Sequence, residues 1–303
     1  MSQLVIPLAL LSSAIVPSCL AGPRVLVAGS DENTCLLTRV VPAFSGAGFE
    51  VTTLGSVDEI PGVDLSDFDA VWLPNGIDAT NPFCPDDDPV PSQVVEDLLA
   101  AFVADGGGLY LAGENASDTQ TMFQAWRDAF IRDRLGGGDV EGVCDCNLGS
   151  TIYLDPVHPI NAEPNPLASF AAGTEFTGGF FDVGNGTPVA YGTPTLTGLP
   201  ITAVWDVGDL SLAPTGRLVV VNNSNNSTNF PSWAVNAINF LTDPKPCNAA
   251  DLAWPFCTHD LADITAFTTG FVTTEPIADL NADGVFDLSD ITLFVTAFVA
   301  GCP

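Results

Sequence analysis

The sequence predicts an α/β fold, a parallel β-sheet with helices on both faces, followed by a small all-α unit built on a calcium loop. Three observations predict it. Short, fully apolar runs alternate with amphipathic stretches, as they do when strands are buried on both faces and helices connect them. The twelve residues from Asp279 to Asp290 space oxygen-bearing side chains as a calcium loop does. The stretch Asp260-Leu-Ala-Asp263-Ile-Thr-Ala-Phe267 is echoed 27 residues later by Asp287-Leu-Ser-Asp290-Ile-Thr-Leu-Phe294, so the C-terminus is a duplicated loop–helix unit.

The first strand is Arg24–Gly29, running into Ser30-Asp31-Glu32-Asn33-Thr34, a helix-start signal, with a helical stretch expected to about Gly48. Phe49–Leu54, Ala70–Leu73 and Gly108–Ala112 read as further strands. Pro91–Ala104 is an amphipathic helix with Val94, Val95, Leu98, Leu99 and Phe102 facing inward, and Thr121–Leu135 follows as another. Thr187–Val207 reads as a β-rich insertion, Arg217–Val221 as a strand and Trp233–Leu241 as the closing helix. In each C-terminal copy Ile, Phe and Phe recur at i, i+3 and i+7, one face of a short helix, so the two helices can bury that face against each other.

Within the second copy, Asp279, Asn281, Asp283, Asp287 and Asp290 occupy loop positions 1, 3, 5, 9 and 12, with Gly284 at position 6. The Val285 carbonyl supplies position 7. Calcium is a hard cation that takes six to eight oxygens at roughly 2.3–2.6 Å, which this donor set offers. Position 12 is Asp rather than the Glu of an EF-hand. The first copy departs further: one extra residue stands between Asp251 and Asp263, and Ala253 and Pro255 fall where positions 3 and 5 should be. Asp260 and Asp263 remain as candidate ligands there, but the loop is expected to be held by packing. His259 and Trp254 are expected to be structural.

These repeats resemble a type I dockerin, and more closely the GC-type variant whose chains end in Gly-Cys-Pro, here Gly301-Cys302-Pro303. The resemblance covers Cys247 to Pro303 and implies a calcium-dependent docking module with a cohesin-like or cell-envelope protein as partner. Upstream, the order of Phe68–Pro74, Asp105–Gly113, Val157-His158-Pro159-Ile160 and Gly216–Asn222 resembles the class I glutamine amidotransferase-like fold, a flavodoxin-like parallel sheet. Its non-amidotransferase branches, including trehalose-utilisation-type proteins, are the nearest in pattern. Residues 1–21, 22–243 and 244–303 then divide into export signal, α/β domain and dockerin-like domain.

Composition sets the compartment and excludes some partners. The chain carries 37 acidic and 7 basic residues, a formal net charge of −30, which disfavours nucleic acid and anionic membrane surfaces. An apolar run from Leu4 to Val16 followed by Ser18-Cys19-Leu20-Ala21 reads as an export signal cut before Gly22, too short to span a bilayer; Cys19 as a lipidation site is the alternative. If Cys19 leaves with the signal, seven cysteines remain, suited to disulfides in an exported protein. Cys247 and Cys302 bracket the tail, so a bridge between them would tie the ends of the duplicated unit. Cys144 and Cys146 are too close to pair with one another and are expected to reach Cys35 or Cys84, which leaves Cys257 over.

In amidotransferases the turn after the strand matching Leu109–Ala112 carries a nucleophilic cysteine. Here that turn reads Gly113-Glu114-Asn115, so glutamine hydrolysis by a Cys–His–Glu triad is not expected. The carboxyl ends of the strands nevertheless deliver Asp31-Glu32, Asn75, Glu114-Asn115 and Asn222–Asn226, a rim that could bind a carbohydrate or a cation. Glu114 with His158 as partner is the candidate acid–base pair of a carbohydrate-acting hydrolase. Against it stands a helix-capping Glu114, a His158 packed in a His-Pro turn and a solvated Asn loop containing the glycosylation-like triplet Asn222-Asn223-Ser224.

Overall fold

The computed structural model describes residues 22–29, 39–73, 90–112, 122–144, 151–167, 169–171, 178–192, 198–222, 230–242, 248–253, 259–281 and 283–302. The expected export signal lies outside them. The chain forms two compact units, one comprising Gly22–Pro244 and the other including Lys245–Pro303.

In the larger unit the strands β1 (Arg24–Ala28), β2 (Glu50–Leu54), β3 (Ala70–Leu73), β4 (Gly108–Ala112) and β11 (Arg217–Val221) are parallel. Their spatial order, β2-β1-β3-β4-β11, is the flavodoxin-like 2-1-3-4-5 order. The sheet then continues through β10 (Pro200–Trp205), β9 (Thr187–Tyr191), β6 (Thr151–Leu154) and β7 (Ser169–Ala171), all antiparallel to their neighbours. The expected flavodoxin-like parallel sheet is therefore present, and the β-rich stretch near Thr187 extends it with antiparallel strands into a mixed sheet.

Alternate residues of each strand go to opposite faces. Val25 and Val27 join Trp72, Tyr110 and Val219 in a core capped by α1 (Val41–Gly46) and α5 (Phe230–Thr242). Leu26 and Ala28 join Val71, Leu109, Leu111 and Val220 on the other face, under α2 (Gln93–Ala104). Trp72 and Tyr110, paired in register on β3 and β4, stack at 3.4 Å between ring centroids and 4° between planes. The Ser92 hydroxyl starts α2 by accepting the Val95 amide, and Val94, expected inward, is 58% exposed. The expected helix Thr121–Leu135 is α3 (Met122–Ala129) continued by a π-helical segment, Phe130–Leu135. A separate two-stranded sheet pairs β5 (Val140–Cys144) with β8 (Gly178–Val183), and its Val140 and Phe180 fill the α2 side of the core.

The smaller unit holds α6 (Leu261–Thr273) and α7 (Leu288–Ala300), each begun by a capping box, Asp260 with Asp263 and Asp287 with Asp290. Phe267 and Phe294 stack at 4.2 Å in a core shared with Ala250 and Ala278. Cys302 is disulfide-bonded; Cys247, expected as its partner, lies outside the described residues. No helix among the described residues is long and apolar enough to cross a membrane.

Candidate calcium loop and the carboxyl edge of the sheet

The loop before α7 is ordered by its own side-chain oxygens. Asp279 accepts the Asp283 amide at 3.1 Å and the Gly284 amide at 2.8 Å. Asn281 Oδ1 accepts the Asp283 amide at 3.0 Å, and Asp283 Oδ1 accepts the Val285 amide at 2.8 Å. Each of these turns returns the chain on itself. Gly284, at φ +78°, supplies the left-handed step that a side chain would resist. Asp287 accepts the Ser289 amide at 2.7 Å and begins α7.

Asp290 is fully buried and closes the loop. Its Oδ1 accepts the Leu280 and Asn281 amides at 2.9 and 3.4 Å, and its Oδ2 accepts the Asp287 amide at 3.0 Å. The bond from Asp287 is the largest influence holding this carboxyl below the ordinary range, against the opposing effect of burial. Six oxygen donors, in loop order and on a chain already turned at Gly284, fit a calcium ion in kind and number. The carboxylates are not drawn together: among the described residues no three His, Cys, Asp or Glu side chains are grouped closely enough to hold a metal.

The first copy repeats the closure without the ligands. Asp263, also fully buried, accepts the Leu252, Ala253 and Asp260 amides at 2.7, 2.8 and 2.9 Å. Asp260 accepts the Ala262 amide as the cap of α6. The outward faces of α6 and α7 match as well: Leu261 and Leu288 are each 73% exposed, and Val272 and Val299 are 80% and 79% exposed. Neither helix carries Lys, Arg or Glu, and their two Asp residues are buried.

At the carboxyl edge of the large sheet, Asp31, Glu32, Asn75, Glu114, Asn115 and Asn223–Asn226 lie outside the described residues. Asn222 is described, and it is no rim residue. It is fully buried, its Oδ1 accepting from Gln124 Nε2 at 3.1 Å and Arg127 Nη1 at 3.2 Å, its Nδ2 donating to the Gly179 carbonyl at 2.6 Å. Burial with both amide atoms engaged removes it as a glycosylation acceptor. Arg127, also fully buried, pairs with Asp128 at 2.8 Å and lies over the Phe180 ring. Asp128 accepts the Gly142 amide at 2.8 Å. A β-bulge at Glu141/Gly142 brings that backbone in, and a Cβ on Gly142 would come within 2.5 Å of Arg127 Nη2.

Gln124, Arg127 and Asp128 were not among the residues the sequence singled out. The available signal was their spacing, because Gln124, Arg127, Ile131 and Leu135 fall at i, i+3, i+7 and i+11 on one core-facing stripe. Polar residues inside such a stripe mark a buried network.

His158 stands elsewhere. It caps α4 (Pro159–Ala162), its Nδ1 accepting the Ile160 amide at 3.3 Å, and its ring packs against Phe240 at 5.8 Å. Arg217, the first residue of β11, lies over the same Phe240 and pairs with Asp206. Arg217 registers with Gly108, at the amino end of β4, whereas Ala112 ends that strand and leads toward Glu114. The five-residue strand separates these two edges by about 13 Å. His158 thus sits at the amino edge, in the role of a packed cap.

No protein-family model and no curated protein matches the chain. Among solved structures it is similar to a GMP synthase subunit protein from Thermoplasma acidophilum, at 10% identity and TM-score 0.44, over 73% of this chain and 95% of that one. It is also similar to a ThuA-like protein from Bacteroides uniformis, at 15% identity and TM-score 0.46, over 73% and 92% of the two chains. PurLQS from Thermotoga maritima aligns at 12% identity and TM-score 0.41, over 73% and 98%. At such values the strand order defines the fold, and no activity passes from these proteins to this chain.

Proposed function

We propose that this is an exported calcium-binding protein that docks to a cohesin-like or cell-envelope partner through its dockerin-like C-terminal unit, carrying the α/β unit as non-catalytic cargo. The observation that carries the reading is the second loop. Its six donors, Asp279, Asn281, Asp283, the Val285 carbonyl, Asp287 and Asp290, fall at calcium-loop positions, and its backbone turns at Gly284 as such a loop requires. Bound calcium would supply the charge that lets those carboxylates converge.

The chain's own residues provide the rest. Asp287 and Asp290 sit at the start of α7, so loop closure and helix order are linked through shared side chains. The matched apolar residues on α6 and α7 offer an exposed apolar surface of the kind that forms the centre of a protein interface. The absence of a cysteine in Gly113-Glu114-Asn115 supports a cargo without glutaminase chemistry. The hydrolase alternative, with Glu114 and His158 as partners, draws no support from the placement of His158 at the amino edge. Retention of the exported chain at the cell surface, compared with that of Asp279→Ala/Asp290→Ala, tests the reading: the variant should be released, and equal retention would refute docking through this loop.

A further inference from the structure

We propose that Asn248 and His259 form a clasp that passes the state of the second loop into the first, so that a single calcium site governs both repeats. The inference rests on the calcium-loop reading above and adds how the two repeats are coupled. The first loop offers no side-chain oxygen at Ala253 or Pro255, and it closes on Asp263 through three backbone N–H groups.

Two residues of the first repeat hold the C-terminus of α7. Asn248 Nδ2 donates to the Ala297 and Gly301 carbonyls at 3.3 and 3.0 Å, while its Oδ1 accepts the Ala250 amide at 2.8 Å. His259 Nδ1 donates to the Phe298 carbonyl at 2.9 Å, its Nε2 lies 3.2 Å from Asn248 Oδ1, and its ring stacks on Phe298 at 5.0 Å. Asn248 precedes the first loop and His259 stands within it, just before Asp260, the cap of α6. The same helix begins at Asp287 and Asp290 of the second loop. A thirteen-residue helix is about 20 Å of stiff rod, with the calcium loop at one end and the clasp at the other. Whatever orders its first turn also fixes the carbonyls that the clasp grips.

Hydrogen exchange of the full chain, with and without calcium, tests this in the wild type and in Asn248→Ala/His259→Ala. In the wild type calcium should slow exchange about tenfold or more both at 279–300 and at 248–263. In the variant the slowing should persist at 279–300 and fall by about tenfold at 248–263. Equal slowing at 248–263 in both proteins would overturn the clasp, as would a wild-type response confined to 279–300. No response in either segment would instead overturn the calcium loop, and the clasp with it. Asn248→Ser, which removes only the carbonyl grip, should give an intermediate loss and guards against a variant that fails to fold.

Discussion

Asp263 and Asp290 stand 27 positions apart and make the same three backbone hydrogen bonds, each gathering the two amides after its loop's first residue and the amide of its own helix cap. Buried carboxylates with this many N–H partners are structural fasteners whether or not a cation is also held. Asp263→Ala would strand three amides and should destabilise the smaller unit by about 2–3 kcal/mol. Denaturant unfolding of the full chain, read as local exchange at Leu252 and Ala253, would check this. An unchanged exchange rate would show that the carboxylate is dispensable.

Gly284 should resist substitution for conformational reasons alone. No heavy atom lies within 4 Å of where its Cβ would be, so a methyl meets no clash, but the φ of +78° remains. Gly284→Ala is expected to cost about 1 kcal/mol. The same variant should weaken calcium binding, which titration of both proteins would compare.

The Arg127–Asp128 pair is expected to be intolerant of single changes. Removing Asp128 leaves a guanidinium buried against Phe180 and Asn222, and Asp128→Ala should cost about 3–5 kcal/mol. Arg127→Met/Asp128→Leu should cost less than the sum of the two singles, because no charge is left unpaired. Urea unfolding followed by tryptophan fluorescence measures both, and strict additivity would contradict a coupled pair.

For His158, burial is the main influence pushing the imidazole below its ordinary range, opposed by Asp206 and Asp155. Its Nδ1 must also stay unprotonated to accept the Ile160 amide. The unfolded chain therefore takes up the proton first as pH falls. The stabilisation is complete above about pH 6.5 and is lost as pH drops below that toward the folded-state value. Thermal midpoints at pH 7.5 and 5.5 should differ more in the wild type than in His158→Gln. Because His259 is the only other histidine, a difference that survives the substitution would assign the effect elsewhere.

The strands of the parallel half were legible because fully buried strands read as short apolar runs, Arg24–Ala28 and Arg217–Val221 among them. The C-terminal repeat was legible from its own echo. The β5–β8 sheet was not, since Val140–Cys144 interleaves Glu141 and Gly142, and its place depends on a bulge, on pairing with Gly178–Val183 and on the bond from Gly142 to Asp128. For His158 the sequence offered both a catalytic partner and a packed His-Pro turn, and it could not choose between them because sequence order does not say at which edge of a sheet such a turn will land. The Asn run was read as rim throughout, although Asn222 is held inside by residues about 95 positions away.

Calcium binding by the second loop is tested most directly by calorimetric titration of calcium into the chelator-treated full chain, alongside Asp283→Ala. One site in the wild type that is lost in the variant is the predicted result. No binding heat in the wild type, or a site that survives Asp283→Ala unchanged, would contradict it.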